Sequence, residues 1–163
     1  MNTLGICAGS FDPPTKGHLR IIEEALCLFE SVTVLVAVNK AKKTLFGQGE
    51  RVDMLKECLE QHGSRVHVAA WDGLLVDYAP DKHRVLVRGL RTVSDFEAEM
   101  TLAHVNETLG IQTLFLPASP SDTTSFASSS IVRELLAFDL DKAQQFVPES
   151  VRPWLARALV RVR

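Results

Sequence analysis

The sequence predicts an α/β fold, a doubly wound five-stranded parallel sheet with helices on both faces. Three observations support this prediction. Short apolar segments alternate along the chain with segments of helical periodicity. Residues 32–38 form a continuous apolar run rich in β-branched side chains, which is typical of a strand buried on both faces. Polar or Gly-rich segments follow the strands, which is where ligands bind in open parallel sheets.

The first part of the chain predicts three strands and two helices. The strands are residues 4–8, 32–38 and 66–71. The helix predicted for residues 17–29 places apolar side chains on one face at i, i+3, i+7 and i+10, and these are Leu19, Ile22, Leu26 and Phe29. A polar loop at residues 39–49, containing Lys40, Lys42 and Lys43, leads to a second helix at residues 50–61.

The second part continues the alternation. We expect two strands, at residues 85–87 and 112–116, and a loop at 117–127. Helices are predicted at residues 73–79, from Thr92 or Ser94 to Leu109, and after residues 128–130, which open the helix. Pro148 is predicted to begin a final helix. Strand–helix alternation implies parallel pairing through right-handed crossovers. The prediction is therefore a single Rossmann-like domain over residues 1–163, with the C-terminal helices of about residues 139–163 packing on it.

The predicted helix at residues 92–109 has two apolar faces. Val93, Phe96, Met100 and Ala103 form one, and Leu102, Val105 and Leu109 form the other. A helix that is apolar on both sides is either deeply buried or shared with another subunit.

Composition limits the classes of function. The 163 residues suit one domain, and a formal charge of −2 provides no global basic field for nucleic acid. The three cysteines show no C-x-x-C spacing, which argues against a disulfide framework and a zinc site. The sequence shows neither a secretion signal nor an apolar stretch that could span a bilayer, so we expect a cytoplasmic protein without a membrane partner.

The most informative stretch is residues 9–18, Gly-Ser-Phe-Asp-Pro-Pro-Thr-Lys-Gly-His. A strand, a Gly-containing turn and a helix N-terminus in this order form an anion site, because the first N–H groups of a helix lack internal partners and the helix dipole favours negative charge. Neither a dinucleotide fingerprint nor a P-loop is present. The stretch resembles the T-x-G-H signature of nucleotidyltransferases, which one class of aminoacyl-tRNA synthetases shares in the form H-I-G-H.

The residues predicted to meet at the strand ends are cations and hydroxyls. They include His18, Lys42, Arg88, Arg91 and the serines at 128–130, whereas no nucleophile–base pair or metal-ligand cluster stands out. This set favours phosphoryl or nucleotidyl transfer, in which catalysis is mostly positioning and charge stabilisation. An attacking phosphate monoester is already anionic near neutral pH and needs no general base. We therefore interpret His18 as a donor to the α-phosphate in the transition state.

Five blocks together resemble one family. They are the stretch at residues 9–18, Lys42-Lys43, Arg-Gly-Leu-Arg at 88–91, Asp-Phe-Glu-x-Glu-Met at 95–100 and Ser-Ser-Ser-Ile-Val-Arg at 128–133. Their order and spacing are similar to those of bacterial phosphopantetheine adenylyltransferases over essentially the whole chain. The resemblance implies reversible transfer of the adenylyl group of ATP to 4′-phosphopantetheine, giving dephospho-coenzyme A and pyrophosphate in coenzyme A biosynthesis. It further implies Mg²⁺, a homohexamer and feedback binding of coenzyme A.

The resemblance also implies residue roles. Catalytic roles fall to His18, Lys42, Arg91 and Ser129. Contacts to phosphopantetheine fall to Ser10, Lys42, Leu74 and Arg88. Contacts to ATP fall to Ser10, Phe11, His18, Gly89, Leu90, Arg91, Glu99, Thr124, Ser125, Phe126, Ala127, Ser128, Ser129 and Ser130. No protein metal ligand is implied, and we expect nucleotide phosphates and water to hold the Mg²⁺.

The chain departs from the usual family pattern at several positions. Cys7-Ala8 stands for Tyr-Pro, and Ser10 stands for Thr with its hydroxyl retained. Ala98 and Thr124 replace frequent aromatic residues, which reduces the aromatic surface expected near the nucleotide. Leu140 occupies a common glycine position and would be strained if that turn needs a positive φ, unless the turn differs.

Three other functions fit the sequence less well. Another T-x-G-H transferase would act on nicotinate mononucleotide or use CTP, but the block at residues 88–91 followed by that at 95–100 argues against it. A regulatory nucleotide-binding module without catalysis would have lost His18 or the cations, which are present. A nucleic-acid-binding protein would need a basic surface and aromatic-rich strands.

Overall fold

The computed structural model describes residues 3–38, 43–80, 83–117 and 127–162. The strands are β1 (Leu4–Gly9), β2 (Val32–Ala37), β3 (Val66–Trp71), β4 (Arg84–Leu90) and β5 (Gln112–Pro117). The α-helices are α1 (Lys16–Leu28), α2 (Gln48–Leu59), α3 (Val93–Thr108), α4 (Ser129–Leu136), α5 (Leu140–Gln144) and α6 (Arg152–Val162). Short 3₁₀ segments occupy Glu60–Arg65, Leu75–Asp77 and Glu149–Val151.

The five strands form one parallel sheet in the order β3-β2-β1-β4-β5. The chain builds outward from β1 to β3 and then returns to the other side of β1, so the topological switch point lies between β1 and β4. Gly5 of β1 pairs with Val32 of β2 on one side and with Val85 of β4 on the other. The predicted fold, a doubly wound Rossmann-like sheet, is confirmed.

Side chains on both faces of the sheet are buried. Ile6, Leu35 and Leu86 belong to a core cluster on one side. Cys7, Val34 and Val36, their neighbours in sequence, belong to the larger cluster on the other side. This alternation follows from the period of two in a strand and explains why the strands read as continuous apolar runs. The larger cluster also contains residues of the C-terminal segment, which are Ala143, Val147, Val151, Leu155 and Ala158.

Helix α3 contributes no buried residue to the core. Val93 is 77% exposed, and Leu102, Val105 and Leu109 are each 53% exposed. The two apolar faces of this helix were interpreted as a sign of deep burial or of a surface shared between subunits, and deep burial within the subunit is therefore wrong. That the surface is shared between subunits stays a prediction. Among the described residues, no helix combines the length and apolar character required to cross a bilayer.

One predicted helix does not form, and the predicted start of another is wrong. Only one 3₁₀ turn forms within residues 73–79, because side chains from outside the segment bind its carbonyl groups. Arg84 donates to the carbonyl oxygens of Val76 and Tyr78, and Trp71 Nε1 donates to that of Leu74. Pro148 precedes the 3₁₀ turn Glu149–Val151, and the final helix starts only at Arg152.

Strand β4 is longer than predicted. It runs to Leu90, so Arg88 and Gly89 lie inside the strand and not in the turn after it. The reason is its pairing with β5, which continues through Leu90 opposite Pro117. Leu140 is the first residue of α5, with Asp139 as its cap, and it does not have a positive φ. The turn thus avoids the strain expected for a residue in a glycine position.

Candidate active site

The turn between β1 and α1 is held in an unusual backbone conformation. Phe11 has a φ of +47°, the Asp12–Pro13 peptide is cis, and Thr15 caps α1 by accepting from the backbone N–H of His18. A Cβ atom at Gly9 would lie 3.2 Å from Cζ of Phe11, so a glycine lets the ring fold back under the strand end. The turn therefore presents the N-terminus of α1 next to the β1–β4 switch point.

His18 is held by its Nδ1 atom. Nδ1 accepts from the Thr15 backbone N–H at 3.0 Å and from the Thr15 hydroxyl at 3.1 Å. Its ring is in a T-shaped arrangement with that of Phe11, with ring centroids 5.0 Å apart. Because Nδ1 is an acceptor, the neutral ring carries its proton on Nε2. Burial, and then the charges of Arg91 and Arg88, lower the pKa of His18 to about 4, so the neutral donor form prevails near pH 7.

Arg88 is fixed across the switch point. Its Nη1 donates to the Ala8 carbonyl oxygen at 2.7 Å, while Nε and Nη2 donate to the two carboxylate oxygens of Glu99 at 2.8 and 2.5 Å. Such a bidentate pair is short and geometrically specific. Of the five N–H groups of the guanidinium, three are thus engaged by described residues, and the described residues leave the other two for a ligand.

Arg91 and Gly89 lie beside this pair. Arg91 donates through Nε to Asp95 at 3.2 Å, and Asp95 is in the first turn of α3. A Cβ at Gly89 would lie 2.9 Å from Cγ1 of Ile21 in α1, so only glycine lets the strand approach this helix so closely. Both arginines are therefore paired with carboxylates, and the cleft is less strongly cationic than the sequence suggests.

The serine run at residues 128–130 forms the N-terminus of α4. Ser128 caps the helix by accepting from the Ile131 N–H at 3.2 Å. Ser129 donates to the carbonyl oxygen of Pro13 at 2.8 Å, and Ser130 accepts from Arg133. The contact through Ser129 joins α4 to the turn that carries His18, so two helix N-termini face the same cleft.

These groups line one cleft of about 330 Å³ at the carboxyl ends of β1 and β4. Every described residue predicted to contact ATP lies in its lining: Ser10, Phe11, His18, residues 89–91, Glu99 and residues 127–130. Ser10 and Arg88, predicted to contact phosphopantetheine, are there too. Leu74 is not among the described lining residues and is 67% exposed. Lys42, Thr124, Ser125 and Phe126 lie outside the described residues.

Among the described residues, the cleft contains neither an activated nucleophile nor a cluster of metal ligands. Burial raises the pKa of the Cys7 thiol to about 12, against the weaker opposing effect of Arg88, so Cys7 stays protonated. No group of three metal-ligating side chains occurs among the described residues. The arrangement offers hydrogen-bond donors and helix N-termini, which suit the binding of phosphates and the stabilisation of charge on them.

Comparison with known proteins identifies the family. A cytidylyltransferase-like family model matches residues 6–135. Phosphopantetheine adenylyltransferase of Bifidobacterium longum (strain DJO10A) is 43% identical over 99% of this chain and 97% of its own length. That of Synechocystis sp. (strain ATCC 27184 / PCC 6803 / Kazusa) is 44% identical over 91% of this chain and 92% of its own length. The chain belongs to the phosphopantetheine adenylyltransferase family.

Solved structures of more distant proteins share the fold. A Plasmodium falciparum nicotinic acid mononucleotide adenylyltransferase, solved in complex with NaAD, superposes with a TM-score of 0.70 at 14% identity, covering 99% of this chain and 96% of the other. This likeness extends to the sheet and its helices. It is the higher identity of the phosphopantetheine adenylyltransferases that assigns the chain within the superfamily.

The sequence analysis did not identify two residues that line the cleft, Thr15 and Asp95, or two that contact the turn beside it, Asp12 and Arg51. Thr15 orients His18, Asp95 pairs with Arg91, and Asp12 and Arg51 form buried contacts beneath the turn. The burial of Arg51 could have been predicted from the sequence. It stands four residues before Leu55 and so lies on the apolar face of α2. A charge in such a position indicates a buried partner. Asp12 and Thr15 stood in the recognised motif, but their partners cannot be read from it.

Proposed function

We propose that this chain transfers the adenylyl group of ATP to 4′-phosphopantetheine, giving dephospho-coenzyme A and pyrophosphate. The observation that carries the proposal is the anchoring of His18 by Thr15, which leaves Nε2–H as a donor on the wall of a cleft with two helix N-termini. The full-length similarity to phosphopantetheine adenylyltransferases supports the choice of acceptor.

The chemistry needs no covalent help from the protein. The phosphate of phosphopantetheine, with a second pKa of about 6, is largely dianionic at neutral pH. One of its oxygens attacks the α-phosphorus of ATP in line, a new P–O bond forms, and the bond to the β-phosphate oxygen breaks. Pyrophosphate leaves with that electron pair, and the reaction is reversible. The protonated Cys7 thiol is unsuited to form an intermediate.

His18 acts as a donor to the α-phosphate as negative charge builds on its oxygens. A general base would have to be unprotonated at the reacting atom, whereas Nε2 carries the proton here. Loss of one such donor reduces turnover by about 10²–10³. Orientation of the two substrates contributes more, about 7–11 kcal/mol in effective-molarity terms. Arg88 and Arg91 take part through the N–H groups that Glu99 and Asp95 leave for ligands.

The described residues do not form a protein cage for Mg²⁺. The two carboxylates in the cleft lining, Asp95 and Glu99, are already paired with arginines. We propose that the ion enters with ATP, held by phosphate oxygens and water, as is common for Mg²⁺. No step of the mechanism above depends on a protein ligand to it.

We further propose that the protein acts in the cytoplasm as a homohexamer that binds coenzyme A in feedback. The apolar surface of α3 and its C-cap supports assembly, because Val93, Leu102, Val105 and the C-cap Leu109 are all more than half exposed. Sedimentation equilibrium would show a species of six chains, and a stable monomer at micromolar concentration would contradict this part. Added coenzyme A should lower the rate of the forward reaction.

The activity is tested with purified protein, Mg²⁺, ATP and 4′-phosphopantetheine, measuring pyrophosphate and dephospho-coenzyme A. We expect both products in equal amounts, little product with CTP as donor, and little with nicotinate mononucleotide as acceptor. Faster turnover of nicotinate mononucleotide than of phosphopantetheine would overturn the assignment. A labelled adenylyl group covalently attached to the protein would refute direct transfer.

A further inference from the structure

Asp12 is charged but buried. Only 2% of it is exposed, and it lies in the turn between β1 and α1 that carries His18. A carboxylate taken out of water is tolerated only when it is neutralised and hydrogen-bonded. The contacts of Asp12 therefore show what this charge is used for.

The first contacts of Asp12 are to the segment before α2. Oδ2 accepts from the backbone N–H of Leu45 at 2.8 Å, and Oδ1 accepts from that of Phe46 at 2.9 Å. Phe46 is itself 2% exposed. The segment after β2 is thereby fastened to the turn after β1 by two charge-assisted hydrogen bonds.

The second contacts of Asp12 are to α4. Arg133 Nη1 donates to the Asp12 backbone carbonyl at 2.5 Å and lies 3.5 Å from its Oδ2, while Nη2 donates to Ser130. The Arg133 side chain thus connects the carboxylate to the serine run that opens α4. Together with the Ser129–Pro13 hydrogen bond, it holds this helix N-terminus against the His18 turn.

Arg51 makes a parallel connection from α2. It is 3% exposed and donates to the Ser10 carbonyl at 2.5 Å and to the Gly47 carbonyl at 3.4 Å. Burial lowers the pKa of Arg51 and the charge of Asp12 opposes that effect. Arg51 therefore joins α2 to the same two segments that Asp12 joins, the turn after β1 and the residues before α2.

We propose that Asp12, with Arg51 and Arg133, is a positioning device for the transfer reaction. This group, the Asp12 cluster, holds three separate segments in one register: the His18 turn and the N-terminus of α4, which line the cleft, and residues 45–47 beside them. None of the three side chains has to touch substrate. The inference rests on the proposed function, because its kinetic test uses the adenylyl transfer reaction.

The kinetic test compares Asp12→Asn and Arg133→Met with a matched control. An amide in place of the carboxylate sets an NH₂ group against one of the two backbone N–H donors, so one contact is lost. Asp139→Asn is the control, because Asp139 also accepts a backbone N–H and pairs with a cation, both from Lys142, but it caps α5 outside the cleft lining.

We expect kcat per folded Asp12→Asn enzyme to fall about 10²-fold at saturating substrates, since small misplacements of reacting groups have effects of this size. Arg133→Met should lower kcat at least tenfold, and the double variant should be little slower than the slower single variant, because the residues act as one unit. KM for ATP should change less than threefold, and Asp139→Asn should keep kcat within twofold. A purely structural role would lower thermal stability and leave kcat of the folded enzyme unchanged.

Hydrogen exchange gives a readout that does not require activity. In Asp12→Asn, the amides of Leu45 and Phe46 should exchange at least tenfold faster, and peptides covering residues 127–133 should lose protection in both variants but not in the control. If Asp12→Asn does not fold, Arg133→Met decides the matter, because Asp12 then keeps both backbone contacts. Should the wild type make no dephospho-coenzyme A, the proposed function fails, and exchange alone tests the positioning. Unchanged exchange at residues 127–133, or kcat of both folded variants within threefold of wild type, would overturn the proposal.

Discussion

Replacement of His18 tests the central feature of the site, a neutral imidazole held at Nδ1 and donating from Nε2. Three variants separate these two functions. His18→Ala removes both. In His18→Asn, the side-chain oxygen stands near the position of Nδ1 and can accept from Thr15, but no donor reaches the position of Nε2. In His18→Gln, the amide nitrogen reaches the position of Nε2, but the acceptor for Thr15 is lost.

The magnitude follows from the number of bonds involved. One donor to a developing charge accounts for about 10²–10³ in kcat, or about 2.7–4 kcal/mol of the barrier. We expect this loss in His18→Ala and equally in His18→Asn, with His18→Gln recovering at least threefold over His18→Ala. Because the interaction strengthens in the transition state, kcat and kcat/KM for ATP should fall by the same factor.

The assay is steady-state pyrophosphate release at several pH values. Since the pKa of His18 is lowered to about 4, the wild type should show no loss of rate due to His18 between pH 8 and 6. A loss near pH 6 from protonation of the acceptor phosphate should appear equally in the wild type and in His18→Gln. Turnover of His18→Ala within threefold of wild type, or much faster turnover of His18→Asn than of His18→Gln, would refute the donor role of Nε2.

Three further predictions concern stability and reactivity. Gly89→Ala should destabilise the protein by about 1–3 kcal/mol in urea denaturation, because the added Cβ would stand 2.9 Å from Ile21; a midpoint unchanged from wild type would show that the helix can shift freely. Cys7, with its pKa raised to about 12, should resist iodoacetamide at pH 8 while the exposed Cys27 reacts, as measured by peptide mass spectrometry. Because the pKa of His18 is lower folded (about 4) than unfolded (about 6.5), stability should decrease as pH falls from 6.5 to 4.

Cys27 serves as the control for the labelling of Cys7, and the His18→Gln variant serves as the control for the acid response. Equal labelling rates for Cys7 and Cys27 would contradict the burial of the first thiol. His18→Gln should lose less stability than the wild type on acidification, since the variant has no imidazole to protonate in the unfolded chain. An identical acid midpoint for the two proteins would show that other groups govern the acid response.

The secondary structure was largely readable because its signals are local. Continuous apolar runs marked the strands, and Thr15 and Ser128 stand at helix starts where their hydroxyls accept from the third residue on. Prediction failed where partners from elsewhere decided the outcome. Residues 73–79 look helical by themselves, but Arg84 takes their carbonyl groups, and β4 extends through Arg88 because β5 pairs with it.

The candidate site was predictable to the extent that its residues lie in recognised motifs. Those motifs brought His18 and the serine run to the same cleft as expected. They did not reveal that Arg88 is held by Glu99 or that Arg91 is held by Asp95. The spacing of motifs along the chain indicates which residues lie at a strand end. The pairing of charges depends on the directions of the side chains in three dimensions.

The amino-acid sequence by itself determined the order of strands and helices and the family, because apolar periodicity, capping residues and short motifs are properties of neighbouring residues. Only the tertiary structure decided which loops are tied together. The hydrogen bond from Arg133 to the Asp12 carbonyl joins residues 121 positions apart. Contacts of this kind form when the sheet closes and brings the strand ends side by side, and they set the donors around the cleft.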